Sequence, residues 1–417
     1  MLDLLQTNSC RDLGRLYFYP AWGKMSSVKK VVRFMVGFLL FGSAIFPAQA
    51  AFTNLYIFGD GACTTTNNPV AGPQYYGLRR SNGRVWVEVL AQEQGLTNNY
   101  WYSNNILNHV SYTNLSASST NWYYSSNNWS YYGQYSSNLV NNLTHFTAPP
   151  GASNALFVVW VNDADFVGDM GNIYPNFGTN ISKWTNAINQ SLTNHWKVIT
   201  NLYYAKGART LIMPNAVDIT EIPQFNGNPS ADKYFIRQRI IAFNVAFTTI
   251  LNQAITSLPG ITIYEPDFFT LLDNVVTNAA FYGLTNALDG NGQSTDVIED
   301  DALANKSLNG PGTNYIFWDA TDPSAKFHSL IAGVAQQLIS PVQITNLTAL
   351  NGSNQLVMAN VPIGQNGLVL GRPNLVLGNW ATNATFVSSN ATQSVFVTPS
   401  GPQWFYRLKF PYTWAWP

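Results

Sequence analysis

Short apolar runs alternate with amphipathic stretches between Phe52 and about Ile339. Four runs are continuously apolar, which is typical of strands buried on both faces; they lie at 55–58, 156–161, 210–213 and 261–264. The intervening sequence has helical periodicity at 83–94, 180–206 and 233–257. Strands that alternate with helices predict a mainly parallel sheet with helices on both faces. In such folds, functional sites lie beyond the carboxyl ends of the strands.

The pattern changes at Ser340-Pro341, where the helical periodicity stops. Residues 341–417 contain short strand-like runs that are separated by Gly, Pro and Asn. This pattern predicts a small β-sandwich-like C-terminal domain. We therefore expect a main α/β domain at 51–340 and a separate all-β domain at 341–417.

Residues 25–50 have the pattern of a secretory signal peptide. A basic segment at 29–33 precedes an apolar run at 35–46, and a small-x-small cleavage site follows at 48–50. The apolar run is shorter than the ~20 residues that span a bilayer, so we expect no stable membrane span after cleavage. The mature chain is then expected to begin at Ala51 and to be secreted, periplasmic or displayed at the cell surface.

Composition narrows the partners and the covalent chemistry. Of the 417 residues 21 are basic and 21 acidic, without the basic patch that a nucleic-acid partner needs.

Residues 1–24 match neither a signal nor a domain, and we interpret them as an extension from a start codon assigned too far upstream. After residue 50, 15 basic and 19 acidic residues remain, together with one cysteine, Cys63. A single cysteine excludes an internal disulfide and a cysteine-based metal site.

Residues 98–142 have an unusual composition, with 12 Asn and 11 aromatic residues but no Asp, Glu, Lys or Arg. One interpretation is a long loop that presents Tyr and Trp for stacking on sugar rings. The simpler interpretation, which we favour, is a polar loop whose aromatic side chains fasten it to the domain.

Six short blocks occur in order between residues 55 and 340. They are Phe58-Gly59-Asp60-Gly61; Tyr76-Gly77 with Ser81–Glu88; Phe157–Trp160 with Asp165-Phe166; Gly207-Ala208-Arg209; Phe281–Asn286; and Phe317–Ser324 with His328 and Ile331-Ala332. In this order, the blocks resemble those of the GDSL (SGNH-type) lipase/acylhydrolase family. The resemblance implies a three-layer α/β/α sandwich and the hydrolysis of acyl esters on lipids or acetylated polysaccharides.

The resemblance also implies that several catalytic positions are substituted. The nucleophilic Ser falls on Gly61 and the His that activates it on Asp322. The two oxyanion positions, an Asn and a Gly, fall on Ala164 and Asn104. Only Asp319, which orients the His in the family, is retained. Because nucleophile and base act as a unit, these substitutions imply impaired or absent serine-esterase activity.

Two groups of residues could supply other chemistry. Cys63 is a nucleophile type close to Gly61 but has no base, so a small buried cysteine is the favoured interpretation. The carboxylates are expected at the carboxyl edge of the sheet; they are Asp60, Asp163, Asp165, Asp319 and Asp322. Three interpretations of this group stay open. The carboxylates cap helices and backbone N–H groups, bind a Ca²⁺-type cation, or activate a water in the space left by Gly61. No other cofactor is expected.

Two functions of different classes follow. The first is a secreted ester hydrolase of the GDSL type, with an acyl ester as its ligand. The second is a non-catalytic relative that binds a glycan or another surface ligand with the cleft, the aromatic-rich loop and the C-terminal domain. A fold alone does not decide between them.

Overall fold

The computed structural model describes residues 52–65, 74–76, 79–96, 127–350, 352–399, 401 and 403–410. Its α/β unit ends at Ser340 and its second compact unit begins at Pro341. The predictions for residues 1–50 and for Asn104 lie outside the described residues, as does most of the aromatic-rich segment.

The α/β unit is built on a parallel sheet in which strands follow one another in chain order. The strands are β1 (Leu55–Gly59), β2 (Leu156–Trp160), β3 (Thr210–Ile212) and β4 (Thr262–Tyr264), in the order β1-β2-β3-β4. Every residue of β1 and β2 is buried, as their continuous apolar runs predict. All four predicted strands are confirmed, and β3 and β4 are shorter than their apolar runs.

Helices cover both faces of this sheet. Their bounds are α1 (Trp86–Glu93), α2 (Ser136–Asn142), α3 (Asn162–Asn172), α4 (Tyr174–Phe177), α5 (Ile181–Tyr204), α6 (Ser230–Ser257), α7 (Phe268–Thr277) and α8 (Ala325–Ile339). Helix α1 packs on α8, while α5 packs on α2 and α6. Because β1 and β2 are buried on both faces, these two groups form the outer layers. The predicted α/β/α architecture is confirmed.

Helix α6 is long and apolar enough to cross a membrane, alone among the helices of the described ranges. Its buried positions recur every three or four residues and belong to the main core: Ile236, Ile240, Phe243, Phe247 and Leu251. This spacing is that of a helix with one face packed inward.

The C-terminal unit is antiparallel and all-β. Its strands are β5 (Gln343–Leu350), β6 (Ser353–Ala359), β7 (Asn366–Arg372), β8 (Ala381–Val387), β9 (Gln393–Val397) and β10 (Phe405–Lys409). They form two three-stranded sheets, β5-β6-β9 and β10-β7-β8. Both sheets contribute to one small apolar core, which contains Leu356 and Met358 from one sheet and Val369 from the other. The predicted all-β region is confirmed.

Candidate functional site

The carboxyl ends of β1 and β2 bring the predicted site positions of these strands together. Asp60 follows β1 directly, and its backbone N–H donates to the carbonyl of Trp160 at the end of β2 (3.2 Å). The Asp60 side chain accepts from the backbone N–H of Ala62 and caps the short 3₁₀ turn that contains Gly61. Asp163 and Ala164 lie in the first turn of α3, just after β2.

These strand ends open into a cavity of about 170 Å³. Its polar end contains Asp60, Gly61, Asp163, Thr321 and Asp322. The rest of the wall is mainly apolar, with side chains from α3, α7, α8 and the segment after β3: Val167, Val217, Ile219, Ile222, Phe268, Leu271, Leu272, Phe327 and Ile331. An apolar cavity with a few polar groups at one end is typical of a small-molecule site.

The described end of the aromatic-rich segment, residues 127–133, runs beside β1. The backbone N–H of Ile57 donates to the carbonyl of Asn127 (2.9 Å), and that of Trp129 donates to the carbonyl of Ile57 (2.7 Å). This pairing brings Tyr132 and Gly133 to the cavity beside Gly61. The segment is Asn-rich and has no continuous apolar run, so its pattern did not predict a strand-like partner for β1.

Arg80 joins the two carboxylates that the resemblance assigned to the catalytic pair. Its Nη2 lies 2.7 Å from Asp319 Oδ2, and its Nε donates to Asp322 Oδ2 at 2.9 Å. The Tyr75 hydroxyl also donates to Asp319 Oδ2, at 3.0 Å. Asp319 Oδ1 accepts the backbone N–H of Thr321 (3.0 Å) and of Asp322 (2.9 Å). All three charged side chains are at least nine-tenths buried, so this is an internal ion-pair network.

Gly61 faces this network at close range. A Cβ at this position would lie 3.0 Å from Asp322 Oδ1 and 2.9 Å from Cδ2 of the Tyr132 ring. The Arg80 guanidinium lies over the same ring, 4.1 Å from its centre. Tyr132 and Asp322 therefore occupy the space into which a side chain of residue 61 would project.

Burial raises the pKa of the acids at the polar end. The pKa of Asp60 rises to about 8, first because the carboxyl is buried and then because Asp163 is near. Burial raises the pKa of Asp163 to about 7, although the hydrogen bond that its carboxylate accepts from the backbone N–H of Val217 acts to lower this pKa. Burial and the charge of Asp319 also raise the pKa of Asp322, which Arg80 opposes. With its pKa above neutral pH, the Asp60 carboxyl can carry a proton and donate a hydrogen bond into the cavity.

Three residues considered in the sequence analysis do not line the cavity. Asp165 accepts from the backbone N–H of Ser136 (2.8 Å) and the hydroxyl of Ser191 (2.5 Å), so it joins α2 to α5. Cys63 is fully buried, and burial together with Asp60 raises the pKa of its thiol. His328 is also fully buried, and burial lowers the pKa of its ring to about 3.

The part of the chain that the structure describes contains no group of three or more His, Cys, Asp or Glu side chains able to hold a metal ion. Arg80 already provides the positive charge between Asp319 and Asp322. Of the interpretations for the carboxylates, bonding to backbone N–H groups fits Asp60, Asp163, Asp165 and Asp319 directly.

The chain is similar to a GDSL esterase/lipase of Arabidopsis thaliana. The two are 24% identical over 350 residues, which cover 74% of this chain and 88% of that protein. This similarity supports a GDSL-type hydrolase. No family model matches the chain.

Two solved structures have weak likeness to it. LAE5, an alpha/beta hydrolase enzyme from the metagenome of Lake Arreo, Spain, has a TM-score of 0.36 and 9% identity over 70% of this chain and 98% of that one. A gut microbial diltiazem-metabolizing enzyme has a TM-score of 0.35 and 9% identity over 75% of this chain and 57% of that one. The fold assignment therefore rests on the sheet and helices described above.

Proposed function

We propose that this chain is a secreted GDSL-type relative that binds a small acyl ester in the cavity and has lost serine-type hydrolysis. The observation that carries the proposal is the approach of Asp322 Oδ1 and the Tyr132 ring to Gly61. A serine hydrolase needs a hydroxyl at this point and a base that takes its proton. Here Gly61, at the position of the hydroxyl, has no side chain, and Asp322, at the position of the base, is bound to Arg80.

Neighbouring hydroxyl and thiol groups are poor replacements for the nucleophile. Thr64 donates its hydroxyl hydrogen to the carbonyl of Asp60 (2.9 Å). Thr321 lies at the cavity, but its hydroxyl donates to Asp322 Oδ2 (2.6 Å), which also accepts from Arg80. Cys63 is buried as a thiol outside the cavity lining, and a thiol is far less nucleophilic than a thiolate.

The cavity suits a short acyl group with a polar end. Its volume of about 170 Å³ is below the roughly 300–1,000 Å³ of sites for drug-sized ligands. The apolar wall would contact the acyl chain, and the raised pKa of Asp60 would let it donate a hydrogen bond to the ester carbonyl. Acetyl and butyryl esters are the ligands that we propose.

The test is turnover of p-nitrophenyl acetate and butyrate by the exported chain. We expect no turnover above buffer and no labelling by serine-directed organophosphates. The matched gain-of-function variant is Gly61→Ser/Asp322→His/Tyr132→Ala, where the third change removes the ring that a Cβ at residue 61 would meet. Turnover and labelling of this variant alone would support the proposal.

The opposite results have defined meanings. Robust wild-type turnover that Asp322→Ala abolishes and Cys63→Ala retains would identify a water-activating carboxylate. Loss of turnover with Cys63→Ala would identify a thiol nucleophile. Either result would contradict the loss of hydrolysis.

A further inference from the structure

The charge of the C-terminal unit is carried on one face of a sheet. Residues 341–417 contain three basic side chains, Arg372, Arg407 and Lys409, and no acidic one, whereas all 19 acidic residues after residue 50 precede Pro341. In the antiparallel pair, Arg372 lies opposite Phe405, and Arg407 and Lys409 follow Phe405 at intervals of two. Residues at this spacing share a face. Tyr406 and Leu408 alternate with these residues and pack on the small core, so the three basic side chains lie on the opposite face of the sheet, beside Leu368, Leu370 and Phe405.

An exposed apolar tip borders this face. The loop between β7 and β8, residues 373–380, presents Val376 and Leu377 with 85% and 69% of their surfaces exposed. These are the largest exposed fractions among the large apolar side chains described in this unit. Asn374 Oδ1 accepts the backbone N–H groups of both residues (2.8 and 3.1 Å). The turn formed by Asn374 therefore fixes the backbone at Val376 and Leu377, whose apolar side chains are exposed to solvent.

The apolar tip and the basic face are physically joined. Arg372 Nη1 donates to the carbonyl of Gly378 at the base of the loop (3.3 Å). The guanidinium carbons of Arg372 and Arg407 lie 4.4 and 4.7 Å from the ring centre of Trp380, which ends the loop. With two cations against it, this ring is poorly placed to stack on a sugar or a base.

We propose that this surface docks on an anionic phospholipid bilayer. Apolar side chains at a tip, cations beside them and an indole at the boundary are the elements of interfacial membrane binding. In this arrangement Val376 and Leu377 enter the boundary of the acyl chains, and Arg407 and Lys409 lie near the phosphates. Two exposed apolar residues are too small a patch for a stable protein interface, which buries ~800 Å² on each partner.

The test is co-sedimentation of the exported chain with vesicles of phosphatidylglycerol and phosphatidylcholine, beside vesicles of phosphatidylcholine alone. We expect preferential binding to the anionic vesicles. Val376→Ser/Leu377→Ser and, separately, Lys409→Glu should each weaken it by at least about tenfold. All three residues are exposed, so their replacement leaves the core intact. The control is Phe396→Ser on the other sheet, 60% exposed in the wild type, which should bind as the wild type does.

Several results would overturn the proposal. They are no wild-type binding to anionic vesicles, unchanged binding in the tip variant, or an equal loss in the Phe396→Ser control. Retention on an alginate column that needs Lys409 but not the apolar tip, without vesicle binding, would instead assign the face to an acidic polysaccharide. None of these outcomes depends on ester binding or turnover in the α/β unit.

Discussion

Arg80 and Asp322 form a buried ion pair, with 2.9 Å between Nε and Oδ2, although they are 242 residues apart in the chain. Asp322 is the residue that the family resemblance matches to the catalytic histidine. Its charge is balanced inside the protein, so it is bound as a structural partner. A histidine at this position would lie beside the Arg80 guanidinium, where a second cation is unfavourable.

Replacement of Arg80 should destabilise the α/β unit strongly. Arg80→Met leaves Asp319 and Asp322 buried without their cation, which we expect to cost about 3–5 kcal/mol in the free energy of unfolding. Urea unfolding followed by circular dichroism measures this change. Lys183→Met is the control, because the exposed Lys183 should change stability by no more than about 0.5 kcal/mol. Equal effects of the two changes would show that the ion-pair network contributes nothing.

The free energy of unfolding should decrease as the pH rises from about 4 to about 8. The pKa of Asp60 is raised to about 8 and that of Asp163 to about 7, so both bind more protons in the folded state than in the unfolded one. Stability that depends on such groups is present at low pH and is lost as the pH rises. Denaturant unfolding at pH 5 and pH 8 measures the slope.

An Asp60→Asn/Asp163→Asn variant is the matched test of that slope. The free energy of unfolding of this variant should change less with pH than that of the wild type. Each unit by which folding raises the pKa of a replaced carboxyl accounts for up to about 1.4 kcal/mol of that change. Asp301→Asn, which removes an exposed carboxylate outside the cavity, is the control variant. A double variant with the wild-type slope would show that neither acid is protonated in the folded protein at neutral pH.

A serine alone should not fit at position 61. Gly61→Ser places a Cβ 2.9–3.0 Å from Tyr132 and Asp322, and we expect a loss of about 1–3 kcal/mol. Addition of Tyr132→Ala should relieve the ring contact and shift the thermal midpoint upward relative to Gly61→Ser, because the Tyr132 side chain is 38% exposed and its own packing is limited. Gly171→Ser is the control, since nothing lies within 4 Å of its added Cβ. A Gly61→Ser protein as stable as the control would mean that Tyr132 moves freely.

Export should remove the signal peptide at residues 25–50. The signal-peptide pattern predicts cleavage after Ala50, so N-terminal sequencing of the exported protein should begin Ala-Phe-Thr-Asn. Ala48→Asp/Ala50→Asp should block processing, because the cleavage site needs small residues. Recovery of residues 25–50 in a membrane fraction of the wild type would contradict the prediction.

The sequence predicted the sheet well because its strands are buried on both faces. Such strands are apolar without interruption, and 55–58 and 156–161 are visible for that reason. The sequence also predicted that Gly61 and Asp163 lie close together, because each comes shortly after the carboxyl end of one of these strands. Both residues line the cavity. Asp165 was expected in the same pocket, but it lies two residues after Asp163 on another side of α3, where it accepts hydrogen bonds from Ser136 and Ser191.

Long-range partners were beyond reach of the sequence pattern. Arg79 and Arg80 are adjacent and look alike, yet Arg79 pairs with Glu88 nine residues away and Arg80 with Asp322 at the other end of the unit. Tyr132 is one of 11 aromatic residues in the segment 98–142, and the composition did not indicate which of them reaches the cavity, because the segment pairs with β1 through its backbone. Neither residue has a local signal that distinguishes it from its neighbours.

The separation between Arg80 and Asp322 also constrains how the protein folds. A loop of 242 residues must close before the guanidinium meets its carboxylates, and closure of long loops is slow. By contrast, Arg79 can find Glu88 as soon as α1 forms, which leaves Arg80 in place but without its counter-ions. We therefore expect the cavity to be among the last regions to form during folding. A chain cut before residue 319 should retain early helices yet stay susceptible to proteolysis around Arg80.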